Sequence, residues 1–171
     1  MGWRAVHHRP SRRTPMIIDT LSEGETIHAT AIVLGETGVL FLGPSGSGKS
    51  GAAFACLGAA VLRGWNAALV ADDRTIVTVR PDRLIASCPE PIRGLIELRG
   101  TGIVAFPRLD RAVLHLAVAL AEPDAATRLP PEGETLSCNR VAIPLMRLWH
   151  DGAADPLSCL VARHPGLFLA S

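Results

Sequence analysis

The only lysine of the chain stands at position 49, inside Gly43-Pro44-Ser45-Gly46-Ser47-Gly48-Lys49-Ser50, while the other 16 of its 17 basic residues are arginines. The octapeptide fits G-x-x-x-x-G-K-[ST], a loop that functions only when a strand feeds it and a helix leaves it. Its glycines let successive N–H groups turn inward onto a polyphosphate, and the following helix offers the positive end of its dipole to the same charge. Lys49 would bring a mobile ammonium to the β- and γ-phosphates, and the Ser50 hydroxyl would be a ligand for Mg²⁺. A structural glycine turn is the alternative reading. It leaves unexplained why the one lysine of an arginine-using chain falls at this slot.

The flanks satisfy the requirement. Residues 30–34 and 38–42 are apolar runs joined by Gly35-Glu36-Thr37, the pattern of a hairpin. Residues 49–63 form an alanine-rich helix with apolar residues at helical spacing, stopped by Gly64. A strand over 67–71 runs into Asp72-Asp73; strands over 75–80 and 83–86 follow, then a glycine-punctuated stretch to Phe106. The run 113–120 predicts one buried strand, 129–133 a loop, 141–149 a strand and 156–163 a closing helix. Strands dominate after the single clear helix, so the expected fold is α/β with a mixed sheet rather than a regular βαβ series.

At 171 residues, with 48% hydrophobic and 19% charged side chains, the chain suits one domain with a full core. We expect residues 1–15, which carry four arginines and no acid, to be a basic disordered leader, and 16–171 to be the domain. A formal net charge of +1 gives no footprint for nucleic acid, and no apolar run is long enough to span a bilayer. The four cysteines are scattered without a C-x-x-C pair, which argues against zinc or a redox dithiol and for a cytoplasmic protein.

Asp72-Asp73 at the end of an apolar strand fits the metal-side acid of P-loop proteins, although Asp is also an ordinary turn residue. A GTPase is excluded because its guanine-reading motif needs a second lysine. Small-molecule kinases usually start with the P-loop strand itself, whereas a hairpin comes first here.

Four stretches, in order, carry a resemblance: His28-Ala29-Thr30-Ala31-Ile32-Val33, then Gly38-Val39-Leu40-Phe41-Leu42 leading into the P-loop, then Leu69-Val70-Ala71-Asp72-Asp73-Arg74, then Ile96-Glu97-Leu98-Arg99-Gly100-Thr101-Gly102-Ile103. Over about residues 27–120 the chain resembles the catalytic domain of bacterial HPr kinase/phosphorylase, whose fold is related to that of phosphoenolpyruvate carboxykinase. The resemblance implies an ATP- and Mg²⁺-dependent serine kinase of the phosphocarrier HPr, acting in the sugar phosphotransferase system and in the control of carbon metabolism. It implies that residues 43–50 hold the ATP phosphates and that Ser50 and Glu97 ligate Mg²⁺. Asp73 would be the general base, Asp72 its support or the metal's, and His28, 21 residues before Lys49, would sit beside the reacting phosphate. Arg99 is either an ion-pair partner or a phosphate contact.

The resemblance is to a short form without the family's N-terminal domain, and it implies a homo-oligomer, a hexamer in the family. The late V-R-P-G-R-N string, whose Arg serves phosphorolysis of phosphoserine-HPr, has no counterpart around residues 138–147. Arg140 and Arg147 are the candidates to replace it, and phosphorylase activity stays open. The competing readings are a kinase of another protein or peptide, an ATP-binding sensor or ATPase, and a small-metabolite kinase.

Overall fold

Residues 31, 32, 34, 39, 40 and 41 are almost wholly shielded from solvent, on both faces of their strands, so the sheet they build must lie between two layers. A computed structural model describes residues 17–121, 131–149 and 154–169 and shows both layers. In chain order the strands are β1 (Ile17–Leu21), β2 (Thr26–Ile27), β3 (Thr30–Leu34) and β4 (Thr37–Leu42), followed by helix α1 (Lys49–Leu62). Next come β5 (Ala67–Ala71), β6 (Thr75–Val79), β7 (Leu84–Ser87), β8 (Leu95–Leu98), β9 (Gly102–Ala105), β10 (Arg111–Leu114), β11 (Leu116–Ala121), β12 (Thr135–Cys138) and β13 (Val141–Trp149). Helices α2 (Pro156–Arg163) and α3 (Pro165–Phe168) close the described chain.

Seven strands form the central sheet in the order β1-β12-β13-β11-β4-β3-β5; a second sheet runs β10-β7-β6-β2, and β8-β9 is a separate hairpin. Pairs β1/β12, β11/β13 and β4/β11 are parallel, while β3/β4, β3/β5 and β12/β13 are antiparallel, so the sheet is mixed as expected. On one face Ile32, Leu34, Val39 and Phe41 pack with Ala52, Ala53, Cys56, Leu57 and Ala60 of α1 and with Leu157 and Leu160 of α2. On the other, Ala31, Val33 and Leu40 meet Val77, Leu84 and Ala86 of the second sheet. Alternate residues of β3 and β4 thus feed different cores, as the two-residue period of a strand requires.

Helix α1 ends one residue before the expected limit. Gly64 adopts φ +74° and donates to the Val61 carbonyl, while the Trp65 N–H reaches the Ala60 carbonyl, a paired closure that needs a left-handed residue at Gly64. Asp155 caps α2 by accepting from the Ser158 N–H at 2.8 Å. Thr37 Oγ1 donates to the Leu167 carbonyl, tying α3 to the β3–β4 turn.

The expected single strand over 113–120 is corrected: it is two strands in two different sheets. The chain changes sheet at His115, whose N–H donates to the Gly38 carbonyl at 2.8 Å and whose Nδ1 accepts from the Gly38 N–H at 3.0 Å. A Cβ on Gly38 would lie 1.9 Å from the Val113 carbonyl oxygen, so only glycine admits this crossing. Strands β1, β12 and the β8–β9 hairpin were not anticipated. The expected basic leader lies outside the described residues, as do residues 129 and 130 of the expected loop.

Candidate functional site

Strand directions assemble the site. Strand β3 is antiparallel to both β4 and β5, so the ends of β4 and β5 and the start of β3 share one margin of the sheet. The P-loop leaves β4 there, Asp72-Asp73 leaves β5, and His28 and Thr30 enter β3. Hairpin β8–β9 supplies the remaining wall. Together His28, Ser45, Gly46, Gly48, Lys49, Ser50, Gly51, Asp72, Asp73, Glu97, Leu98 and Arg99 line a cavity of about 580 Å³. Such a position, outside the carboxyl ends of strands, is where open α/β sheets bind ligands.

The P-loop has the backbone its chemistry needs. Gly46 and Gly48 adopt φ +80° and +91°, and Gly43 adopts φ +150° with no room for a Cβ, which would meet Ser47 Oγ at 2.6 Å. Helix α1 begins at Lys49 with neither a side-chain cap nor an acid in its first turn, leaving its N-terminal N–H groups for an anion. Ser47 Oγ is buried without a hydrogen-bond partner among the described residues. Lys49 is only 5% exposed and donates from Nζ to the carbonyls of Gly43 and Pro44, each at 3.0 Å. Burial pulls its ammonium below the ordinary lysine value, against the upward pull of Asp73 and then Asp72.

The two aspartates are placed differently. Asp72 is buried and accepts three hydrogen bonds: Oδ1 from Thr30 Oγ1 at 2.7 Å and from Ser50 Oγ at 2.8 Å, Oδ2 from the Glu97 N–H at 3.0 Å. Asp73 is exposed and adopts φ +62°, a left-handed backbone that Asp tolerates better than most residues and that marks functional turns. Its Oδ1 lies 2.7 Å from His28 Nδ1. The bend also carries the chain from the central sheet into the second, fastened by Thr75 Oγ1 donating to the Ala29 carbonyl at 2.8 Å.

The donor set fits Mg²⁺. The Ser50 hydroxyl and Asp72 carboxylate are hard oxygen donors in direct contact, both lining the cleft. Magnesium takes one or two protein oxygens and completes its octahedron with water and substrate phosphates. No group of three His, Cys, Asp or Glu side chains able to hold a metal occurs among the described residues, which this mode of binding does not require. Glu97 lines the cavity, and its link to Asp72 runs through its peptide N–H.

Every site residue expected from the sequence therefore reaches this cleft or its loop. Thr30 was missed: a hydroxyl in a fully buried strand holds Asp72, and its only sequence signal was a polar residue opening an apolar run. The ion-pair reading of Arg99 is not met, since Arg99 has no ion pair or hydrogen bond among the described residues and faces Gly46 of the P-loop. The two replacement arginines are also corrected. Arg147 is committed to buried Glu134, Nε to Oε2 at 2.9 Å and Nη2 to Oε1 at 3.0 Å. It lies two strands from β4, and Arg140 sits in the β12–β13 turn at the far end of β13. Neither lines the cavity of its own chain.

Comparison with known proteins agrees with this architecture. The family model of the HPr Serine kinase C-terminal domain matches residues 19–147, a wider span than the motifs alone suggested and one that takes in part of β1, all of β12 and most of β13. The HPr kinase/phosphorylase of Xylella fastidiosa (strain M12) is 29% identical over 86% of this chain and 55% of its own length. That of Limosilactobacillus reuteri (strain DSM 20016) is 30% identical over 78% of this chain and 43% of its own. The chain thus spans about half the length of the curated relatives it matches. The solved structure of the HPr(Ser) kinase/phosphatase from Coxiella burnetii aligns with a TM-score of 0.68 at 25% identity, over 86% of this chain and 99% of that one.

Proposed function

The chain belongs to the HPr serine kinase C-terminal domain family, and from that premise we propose that it transfers the γ-phosphoryl group of ATP to a serine hydroxyl of HPr. The observation that carries the proposal is the exposed Asp73 carboxylate, held by a left-handed bend and by His28, on the same cleft as the P-loop. A module that only sensed ATP would have no use for a second, solvent-facing base beside the one that already organises Ser50.

In this reading the P-loop N–H groups and Lys49 hold the β- and γ-phosphates, and Ser50 and Asp72 would hold a Mg²⁺ ion, which would supply charge neutralisation. Asp73 takes the proton of the attacking serine hydroxyl. The serine oxygen–phosphorus bond forms as the bond from the γ-phosphorus to its bridging oxygen breaks, leaving phosphoserine and ADP. His28 orients Asp73. Asp72, held by three donors, positions Ser50. We extend the proposal to a homo-oligomeric cytoplasmic enzyme regulating the sugar phosphotransferase system; no helix among the described residues is long and apolar enough to cross a membrane.

The test is transfer of γ-³²P from ATP·Mg²⁺ to purified HPr by the unaltered chain and by Asp73→Asn. Serine labelling that disappears in the variant is expected. Intact nucleotide binding with no labelling of HPr would reject HPr as acceptor and leave another protein or peptide, or an ATPase, as the reading.

A further inference from the structure

We propose that Arg99 is a further catalytic residue, whose guanidinium grips the transferring phosphoryl group from the turn after β8; this rests on the phosphoryl-transfer reading above. Arg99 follows β8 at the second position of a tight turn. The Thr101 N–H donates to the Leu98 carbonyl at 2.9 Å, and Gly100 and Gly102 adopt φ +80° and +105°. The strand leading to it is fixed in the protein. Ile96 is fully buried in the helix-side core, Leu98 packs on that core, and the Glu97 N–H is bound to Asp72 Oδ2. Arg99 is therefore held two residues beyond a hydrogen bond to the carboxylate that holds Ser50.

Its terminal nitrogen reaches the P-loop. A Cβ built on Gly46 would meet Arg99 Nη2 at 3.4 Å, so a phosphate cradled by this loop lies within the guanidinium's range. Three carboxylates, Asp72, Asp73 and Glu97, line the same cavity, yet none of them forms an ion pair or hydrogen bond with Arg99. Lys49 is drawn back onto the carbonyls of Gly43 and Pro44. The cleft thus presents both a compact ammonium and a planar fork that no described residue engages. A phosphoryl group in transfer spreads its charge over three equatorial oxygens, and a guanidinium can meet two of them at once, which an ammonium cannot. Arg99 forms and breaks no bond: the proton still goes to Asp73 and ADP still leaves.

The experiment needs no acceptor protein, so it separates this proposal from the identity of the substrate. Binding of ADP·Mg²⁺ is measured with and without aluminium fluoride, which mimics the transferring phosphoryl, for the unaltered protein, Arg99→Met and Arg99→Lys. We expect ADP·Mg²⁺ affinity to change less than about threefold, and the tightening by fluoride to fall about 100-fold in Arg99→Met, the scale of losing one preorganised donor. Arg99→Lys should recover only a small part of it. Melting temperatures of all three should coincide. Full tightening in Arg99→Met overturns the proposal. Full recovery in Arg99→Lys also does, because a diffuse positive field would then suffice, and so does a large fall in melting temperature, which would make Arg99 structural. Failure of the unaltered protein to bind ADP·Mg²⁺ would reject phosphoryl transfer itself, and the role of Arg99 with it.

Discussion

Two charged clusters stand at the same end of the central sheet, two strands apart, and they are built on opposite principles. Between β12 and β13, Glu134 is buried and Arg147 closes on it with two parallel hydrogen bonds, so the pair consumes its own charge. At the ends of β4 and β5, Asp72 is equally buried, but its partners are a hydroxyl pair and a peptide N–H, and its neighbours Asp73 and Arg99 face the cavity. The first arrangement is complete without anything else. The second is rigid at its base and open at its face, which is what a site for charged substrates needs.

The sharpest way to break this contrast is to substitute one acid from each cluster. Asp73→Asn keeps the left-handed backbone, which Asn tolerates, and removes the base. Phosphoryl transfer should fall by about 10²–10⁴-fold, while stability by denaturant titration shifts by no more than about 0.5 kcal/mol. Arg147→Met should do the reverse: it strands a buried carboxylate, costing about 3–5 kcal/mol of unfolding free energy, while the folded fraction keeps its turnover. A pairing of Arg147→Met with Glu134→Leu should recover most of that loss; if it does not, the ion pair is not what Arg147 contributes. Asp72→Ala falls between the two. It deprives three donors of their acceptor, Thr30 being fully buried, so we expect both lost transfer and about 1–3 kcal/mol of lost stability. Unchanged stability there would place Asp72 with Asp73 and erase the distinction between a base that acts and one that holds.

The two clusters also differ in how far they could be read from the sequence. The P-loop, its helix and the aspartate pair are local: residue types at fixed spacing carry the chemistry, and the structure finds them where the spacing puts them. Arg147 shows the converse. Nothing in residues 138–147 reveals that its partner is Glu134, because that pairing depends on the antiparallel register of β12 on β13. The same holds for β1, whose one neighbour among the described strands is β12, more than a hundred residues on and unassigned from the sequence. The break at His115 was hidden for another reason. Residues 114 and 116–118 are buried on either side of it, so an apolar run reads alike whether it serves one sheet or two. The signal lay in Gly38, whose missing Cβ makes space for the crossing and which no local pattern ties to residue 113.

The smallest expected effect bears on that same crossing. Burial, aided by Arg83, pushes the His115 imidazole below its ordinary value, and burial with Arg163 does the same to His164. The unfolded chain therefore binds protons that the folded chain refuses. Stability is fully present above the ordinary histidine range, near 6.5, and is lost as pH falls from there through the folded values. Asp155 does not contribute in that window. Its burial is outweighed by hydrogen bonds from Ser158 and the pull of Arg63, which hold its carboxyl below the ordinary value, so its loss comes at more acid pH. At His115 protonation would also cost a contact: Nδ1 accepts from Gly38, and a proton there would turn that acceptor into a second donor. In His115→Asn the side-chain oxygen can accept from Gly38 and cannot titrate. Urea unfolding at about pH 7.5 and about pH 5.5 should give the unaltered protein a fall in stability that is shallower, though not abolished, in His115→Asn, since His164 remains. An identical slope in both would mean that the crossing between the sheets does not sense protons, and that the acid sensitivity belongs to His164 at the start of α3.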